Sequence, residues 1–271
     1  MLDVKEQTGK ISLSFFKKFL EEKSGANRID VRVGPGFGID VSIVDLPNGG
    51  KMAMASDPLS LIPSLGLEES AWLSVCLIAN DLCTTGVAPQ YGQFVLNLPA
   101  DFSNRQFQIY WDYIHQFCKE MGIAITGGHT GFVEDQYSTI AGSGTFISIA
   151  DKEKLLVSKY ASPGDVILLT KYCGLSSAAI LAMSFPTKVK NEVGHECYHT
   201  ACDAFYDISV SKEAEVAVTA LEGKSITAMH DVTEGGVLGA IYEMAFASGN
   251  GVEVNNEKLP INAAYSAVCK V

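Results

Sequence analysis

Between Glu68 and Thr85 the chain carries apolar residues almost all round a helix, and into that helix it sets Asn80-Asp81. Trp72, Val75, Cys76 and Ala79 recur at helical spacing, and Asp81 falls on the stripe of Leu73 and Leu77. A carboxylate buried alone is costly, so a cation or a hydrogen-bond donor must face it. The plain reading makes Asp81 an acceptor for N–H groups, and the functional one makes it a ligand for a hard ion.

Around this helix the pattern mixes periods. An amphipathic helix is expected over 11–22, with Ile11, Phe15, Phe16 and Phe19 on one side. A glycine-rich turn, Gly34-Pro35-Gly36-Phe37-Gly38, leads into Asp40 and a strand over 41–46. The next strand, from Lys51, is expected to stop at Asp57-Pro58, because proline cannot donate to a ladder. Strands follow over 91–98, 123–126 and 138–150, with a helix N-capped by Ser103 and ended by Gly122 between the first two. The stretch 151–165, closed by Ser162-Pro163-Gly164-Asp165, reads as a domain boundary. Beyond it come strands over 166–170, 225–230 and 252–254, helices over 175–184 and 237–248, and one long helix over 196–221. Strands and helices without strict alternation in either half point to α+β or mixed α/β structure, in two domains over 1–155 and 156–271.

The charge balance narrows the partners. Twenty Lys and Arg stand against 31 Asp and Glu, a net charge of −11, so a broad basic face for nucleic acid is not expected. Phosphate charge must then be met by metal ions or backbone N–H groups. The charge-free run 82–100 is broken by Gly86, Pro89 and Gly92, so it is no membrane span, and no signal peptide is visible. Seven scattered cysteines without a Cys-x-x-Cys pair read as reduced thiols in a cytoplasmic protein.

Asp40, Asp57 and Asp81 each stand at an element end or in an apolar helix, which suits Mg²⁺ or, more plainly, turn and cap roles. Gly127-Gly128-His129-Thr130 after a short apolar strand offers N–H groups to an anion. His230-Asp231, followed by Thr233-Glu234-Gly235-Gly236 at a helix start, brings two carboxylates to a helix N-terminus, a geometry that orients a polar substrate. His195-Glu196-Cys197-Tyr198-His199 matches the HExxH zinc-protease motif, but no third ligand is evident.

These pieces, in order, resemble the AIR synthase (PurM-like) superfamily, in the branch that holds the hydrogenase-maturation protein HypE. The resemblance rests on Gly34 to Asp40, Ala55-Ser56-Asp57-Pro58-Leu59, Asn80-Asp81 leading to Gly86-Val87-Ala88-Pro89, and Ile125 to Thr130. Gly164 to Lys171 and Met229 to Val237 complete it. It implies an N-terminal α/β domain that dimerises through its sheet and a C-terminal α+β domain. ATP would lie in a cleft completed at the homodimer interface. Asp40, Asp57 and Asp81 would serve as metal ligands. Gly34, Gly36, Gly38, Asn80, Gly127, Gly128 and Thr130 would contact the nucleotide, and Asp231, Glu234 and His129 would be catalytic. Many relatives carry an aspartate where this chain has His129. The implied chemistry is ATP-dependent activation of an amide-type oxygen on a small-molecule or protein-borne substrate. A nucleotide-binding maturation partner without its own activity is the rival reading. The chain stops at Val271, where members of the superfamily continue, so the second domain is expected to be incomplete.

Overall fold

A computed structural model describes residues 9–151, 155–220 and 226–271. The first half comprises α1 (Leu13–Phe19), β1 (Val31–Val33), β2 (Ser42–Asp45), β3 (Lys51–Ser60), α2 (Leu67–Cys83), β4 (Tyr91–Pro99), α3 (Asn104–Glu120), β5 (Ala124–Val133) and β6 (Ile140–Ala150). Six strands form one sheet in the order β1-β2-β3-β6-β4-β5, antiparallel throughout except for the parallel β4–β5 pair.

Strand alternation decides which face is covered. On β4, Gly92, Phe94, Leu96 and Leu98 point inward while Tyr91, Gln93, Val95 and Asn97 point to solvent. α2 and α3 pack over the inner face, which is why α2 needs apolar residues nearly all round. Tyr110 of α3 pins β3, α2 and α3 together: its hydroxyl donates to the Ser60 carbonyl at 2.7 Å and lies 2.9 Å from Ser74 Oγ. The start of α3 is closed by a reciprocal Ser103–Gln106 capping box.

Two sequence expectations fail here for identifiable reasons. β3 runs through Asp57-Pro58 to Ser60, because the pairing with β2 ends at Met54 and Pro58 then has a neighbour on one side only. The segment Gly127 to Thr130 is no turn but the middle of β5, at the edge of the sheet. The glycine at 128 is required by close approach: with φ at +146°, a side chain there would overlap the Phe94 backbone across a bulge.

The second half is helical: α4 (Leu175–Ser184), α5 (Pro186–Asp203), α6 (Ser211–Ala220), α7 (Gly236–Ser248) and α8 (Ala263–Val268). The long helix expected over 196–221 is split, because the chain leaves α5 into a 3₁₀ turn, Phe205–Ile208, before α6 begins; Leu221 lies outside the described residues. The strands expected over 166–170 and 252–254 do not form, nor does any strand over 226–230; Ser225 lies outside the described residues. A strand exists only through its neighbour's hydrogen bonds, and the second half has just one isolated bridge, Cys173 to Ile261, among the described residues. Val166 and Leu168 are consequently exposed. α8 is nevertheless seated, with Tyr265 and Val268 buried in the same continuous core as the sheet-facing residues. No helix among the described residues is long and apolar enough to cross a membrane.

Candidate metal centre

The glycine-rich turn does its work by docking. Phe37 packs edge-on against Tyr242 and Phe246 of α7, at ring distances of 6.2 and 5.5 Å. Gly38, at φ +75°, lies so close to the Glu243 backbone that a Cβ there would stand 2.5 Å from its carbonyl oxygen. This seating delivers Asp40 to His230: Oδ2 lies 2.5 Å from Nδ1, an ion-pair distance off the line of a hydrogen bond. His230 Nδ1 is also 2.9 Å from Ser158 Oγ, and its Nε2 is 3.3 Å from Glu243 Oε2. Lys10 Nζ donates to the same Glu243 oxygen at 2.8 Å.

Burial alone would lower the His230 pKa, but Asp40 and Glu243 outweigh it and raise it to about 9, so the ring is a cation at neutral pH. Burial would raise Glu243, and here His230 and Lys10 outweigh it and hold the carboxyl below its ordinary value.

The end of α2 brings Asp81 to the other side of Asp40, and the turn before α7 brings Asp231. Oxygens of Asp40, Asp81 and Asp231 all lie within 4.8 Å of one another. Asp231 Oδ2 is buried and accepts no hydrogen bond, whereas Asp40 Oδ2 already faces the His230 ring. Burial, then the charge of Asp231, pushes the Asp81 carboxyl well up, and burial, then Asp40, pushes Asp231 up in turn. Burial, followed by the charge of Glu234, raises the neighbouring Asp57 to about 6. Buried carboxylates with unused oxygens want either protons or a cation, and an all-oxygen donor set suits a hard divalent ion such as Mg²⁺.

The remaining candidates distribute as follows. Asp57 borders the triad, without an oxygen in the tight cluster. Glu234 lines a cavity of about 350 Å³ beside it, with Lys10, Phe37, Tyr242 and Glu243. Gly34 and Gly36 belong to the docked turn, where a Cβ at Gly36 would meet Ile39 at 2.9 Å. Asn80 is buried, and its amide is engaged by the chain itself: Nδ2 donates to the Ile208 carbonyl at 3.1 Å, and Oδ1 accepts from Val210 N–H at 2.9 Å. Gly127, Gly128, His129 and Thr130 line a separate groove of about 430 Å³ with Phe94 and Trp111, away from the carboxylates. His195 and His199 follow a break in α5 at Gly194, with ring centroids 6.4 Å apart. Among the described residues no third His, Cys, Asp or Glu closes on them.

Lys10, Glu243 and the imidazole of His230 escaped sequence reasoning as site residues. Glu243 carried the same signal as Asp81, a lone carboxylate in an otherwise apolar helix (Val237 to Ala247). Lys10 carried none.

A mixed sheet backed by two helices is followed by a helical unit whose His-Asp turn completes a cluster of three carboxylates, and together they define a two-domain protein. The chain belongs to the AIR synthase related family: the N-terminal domain profile matches residues 38–149 and the C-terminal one residues 162–267. It is 28% identical over 203 residues to a putative hydrogenase expression/formation protein of Methanocaldococcus jannaschii, covering 73% of this chain and 56% of that protein. It is 30% identical over 183 residues to the selenide, water dikinase of Caldanaerobacter subterraneus, covering 67% and 48%. To carbamoyl dehydratase HypE of Escherichia coli it is 24% identical over 205 residues, covering 73% and 56%. The chain thus spans about half the length of these relatives.

Among solved structures the fold matches AaThiL complexed with AMPPCP and TMP, with TM-score 0.71 at 19% identity, covering 95% of this chain and 75% of that one. HypE in complex with ATP gives TM-score 0.66 at 19% identity, covering 98% and 74%. The HypE–HypF complex gives 0.67 at 22%, covering 85% and 71%.

Proposed function

We propose that this chain binds Mg·ATP and uses it to phosphorylate an amide-type oxygen of a small-molecule or protein-borne substrate. The observation that carries the reading is the close-set triad of Asp40, Asp81 and Asp231, in which a buried Asp231 oxygen accepts no hydrogen bond. Mg²⁺ held by these carboxylates, with Asp57 beside them, would neutralise phosphate charge in an otherwise acidic cleft. The protein's own part is positioning: the docked turn fixes Asp40, the end of α2 fixes Asp81, and the His230–Glu243–Lys10 chain places two cations beside the carboxylates. Glu234, on the adjoining cavity, orients the substrate. ATP use is supported by HypE in complex with ATP, AaThiL complexed with AMPPCP, and a selenide, water dikinase among the relatives.

The reading includes a homodimer formed through the open sheet face, supported by the exposed apolar residues Tyr91, Val95 and Ile149 on it. It places the protein in the cytoplasm, supported by seven free cysteines, and includes a maturation partner, supported by the HypE–HypF complex. Calorimetry of ATP binding with Mg²⁺ and with EDTA tests the core claim. Strong binding in Mg²⁺ that collapses in EDTA is expected, and equal binding in both overturns it.

A further inference from the structure

The connection between α5 and α6 is gripped from two sides. Ser209, which follows the 3₁₀ turn, is extended, with φ −61° and ψ 133°, so its carbonyl and that of Ile208 point in opposite directions. The Asp207 and Ser209 carbonyls both accept from Lys171 Nζ, the first at 2.6 Å. The Ile208 carbonyl between them turns the other way, to Asn80 Nδ2, and Val210 N–H donates to Asn80 Oδ1. The grip continues along α2. Tyr206 stands 5.4 Å from the Trp72 ring and 3.1 Å from Glu68 Oε1, and Cys83 Sγ lies 3.5 Å from Ser211 Oγ. Residues 206–211 therefore follow α2 from its first turn to its last.

Lys171 occupies an unusual backbone state. It and Asp135 are the non-glycine residues with positive φ among those described, and its φ is +63°. Such a conformation persists where the surroundings over-determine it. Here the determinants are two carbonyls and Glu213, whose Oε1 is 3.0 Å from Nζ.

We propose that Lys171 and Asn80 are positioning residues: together they clamp residues 207–210 against the end of α2 and thereby set where Asp81 stands in the carboxylate triad. Asn80 and Asp81 are consecutive in one rigid helical turn, so a shift of one is a shift of the other. The clamp links a turn of the second domain to a metal-facing carboxylate of the first. It rests on the Mg·ATP reading, and it gives Asn80 a task other than nucleotide contact.

The test is ATP calorimetry in Mg²⁺ and in EDTA on wild type, Lys171→Met and Lys171→Arg, with Asn80→Ala added where circular dichroism shows it folded. Losing a group that orients a metal ligand typically costs about 10–100-fold in affinity, so Lys171→Met should weaken Mg·ATP binding roughly tenfold and Mg-free binding less than about twofold. Lys171→Arg should recover most of the loss, since its guanidinium still donates to both carbonyls. A merely structural lysine would lower both affinities alike, through a smaller folded fraction. Equal effects in Mg²⁺ and EDTA, or none in either, overturn the clamp while leaving the Mg·ATP reading intact. A wild type indifferent to Mg²⁺ overturns both.

Discussion

Gly38 and Glu243 meet backbone to backbone, and this contact joins the two domains at the site. A Cβ on Gly38 would fall 2.5 Å from the Glu243 carbonyl oxygen, while the Glu243 carboxylate reaches His230 and Lys10. The glycine is therefore needed twice, for its left-handed φ of +75° and for its missing side chain.

Gly38→Ala should accordingly destabilise the protein by more than conformational strain alone. Gly49, at φ +87° with nothing within 4 Å, is the matched control. Gly49→Ala should cost about 1 kcal/mol, and Gly38→Ala at least about 1 kcal/mol more, or roughly 2–4 °C of further Tm loss for a chain of this size. Equal Tm losses in thermal melts would show that the contact yields freely.

Asp81→Asn should separate stability from binding. The substitution removes a charge that burial and Asp231 both disfavour, so the ligand-free protein should gain about 1 kcal/mol. Its stabilisation by Mg·ATP should vanish, whereas Mg-free nucleotide binding should change little. Melts with and without Mg·ATP decide this, and an unchanged Mg·ATP shift would remove Asp81 from the ligand set.

Tyr110 makes a prediction at high pH. Burial pushes its phenol from 10.0 to about 12, so the folded state holds the proton more tightly than the unfolded one. This contribution is complete below pH 10 and is lost as pH rises towards 12, a fall of roughly 3 kcal/mol. Urea titrations from pH 9 to 12 should show this loss in wild type, with a smaller loss in Tyr110→Phe. Parallel pH profiles would refute it.

Val95, on the open sheet face, tests the assembly. Light scattering should give a dimer for wild type and a monomer for Val95→Lys, because a lysine facing a second copy must be desolvated without a partner. A wild-type monomer at micromolar concentration would end the dimer reading.

His195→Ala should leave Mg·ATP binding untouched, since His195 stands on α5, outside the carboxylate triad. Metal analysis should find no stoichiometric zinc in wild type, and one zinc per chain that the variant loses would reinstate the HExxH reading.

The first half was largely legible because its signals are local. The Ser103 cap, the periodicity of α2 and α3 and the alternation of β4 each follow from residues a few positions apart. Pro58 and the Gly127-Gly128 pair misled because their meaning depends on a neighbouring strand: Pro58 is tolerated where β2 has ended, and Gly128 is demanded by the Phe94 backbone. The strands expected at 166–170 and 252–254 had the right composition, but strand formation also needs a partner, which the described residues do not supply.

At the site the division is similar. From its own residues the sequence determined that Asp40, Asp57, Asp81 and Asp231 had to be accounted for, because a carboxylate at an apolar boundary carries a desolvation cost wherever it lies. Only the tertiary structure decided that Asp40, Asp81 and Asp231 bring their oxygens together while Asp57 borders them. It also turned Asn80 towards residues 208–210 and brought Lys10, 233 positions away in the chain, to the Glu243 oxygen that faces His230. Burial is a property of single residues and leaves its mark on local pattern. Convergence is a property of chain paths, and these were set by a glycine that lets α7 approach and by a backbone clamped at Lys171.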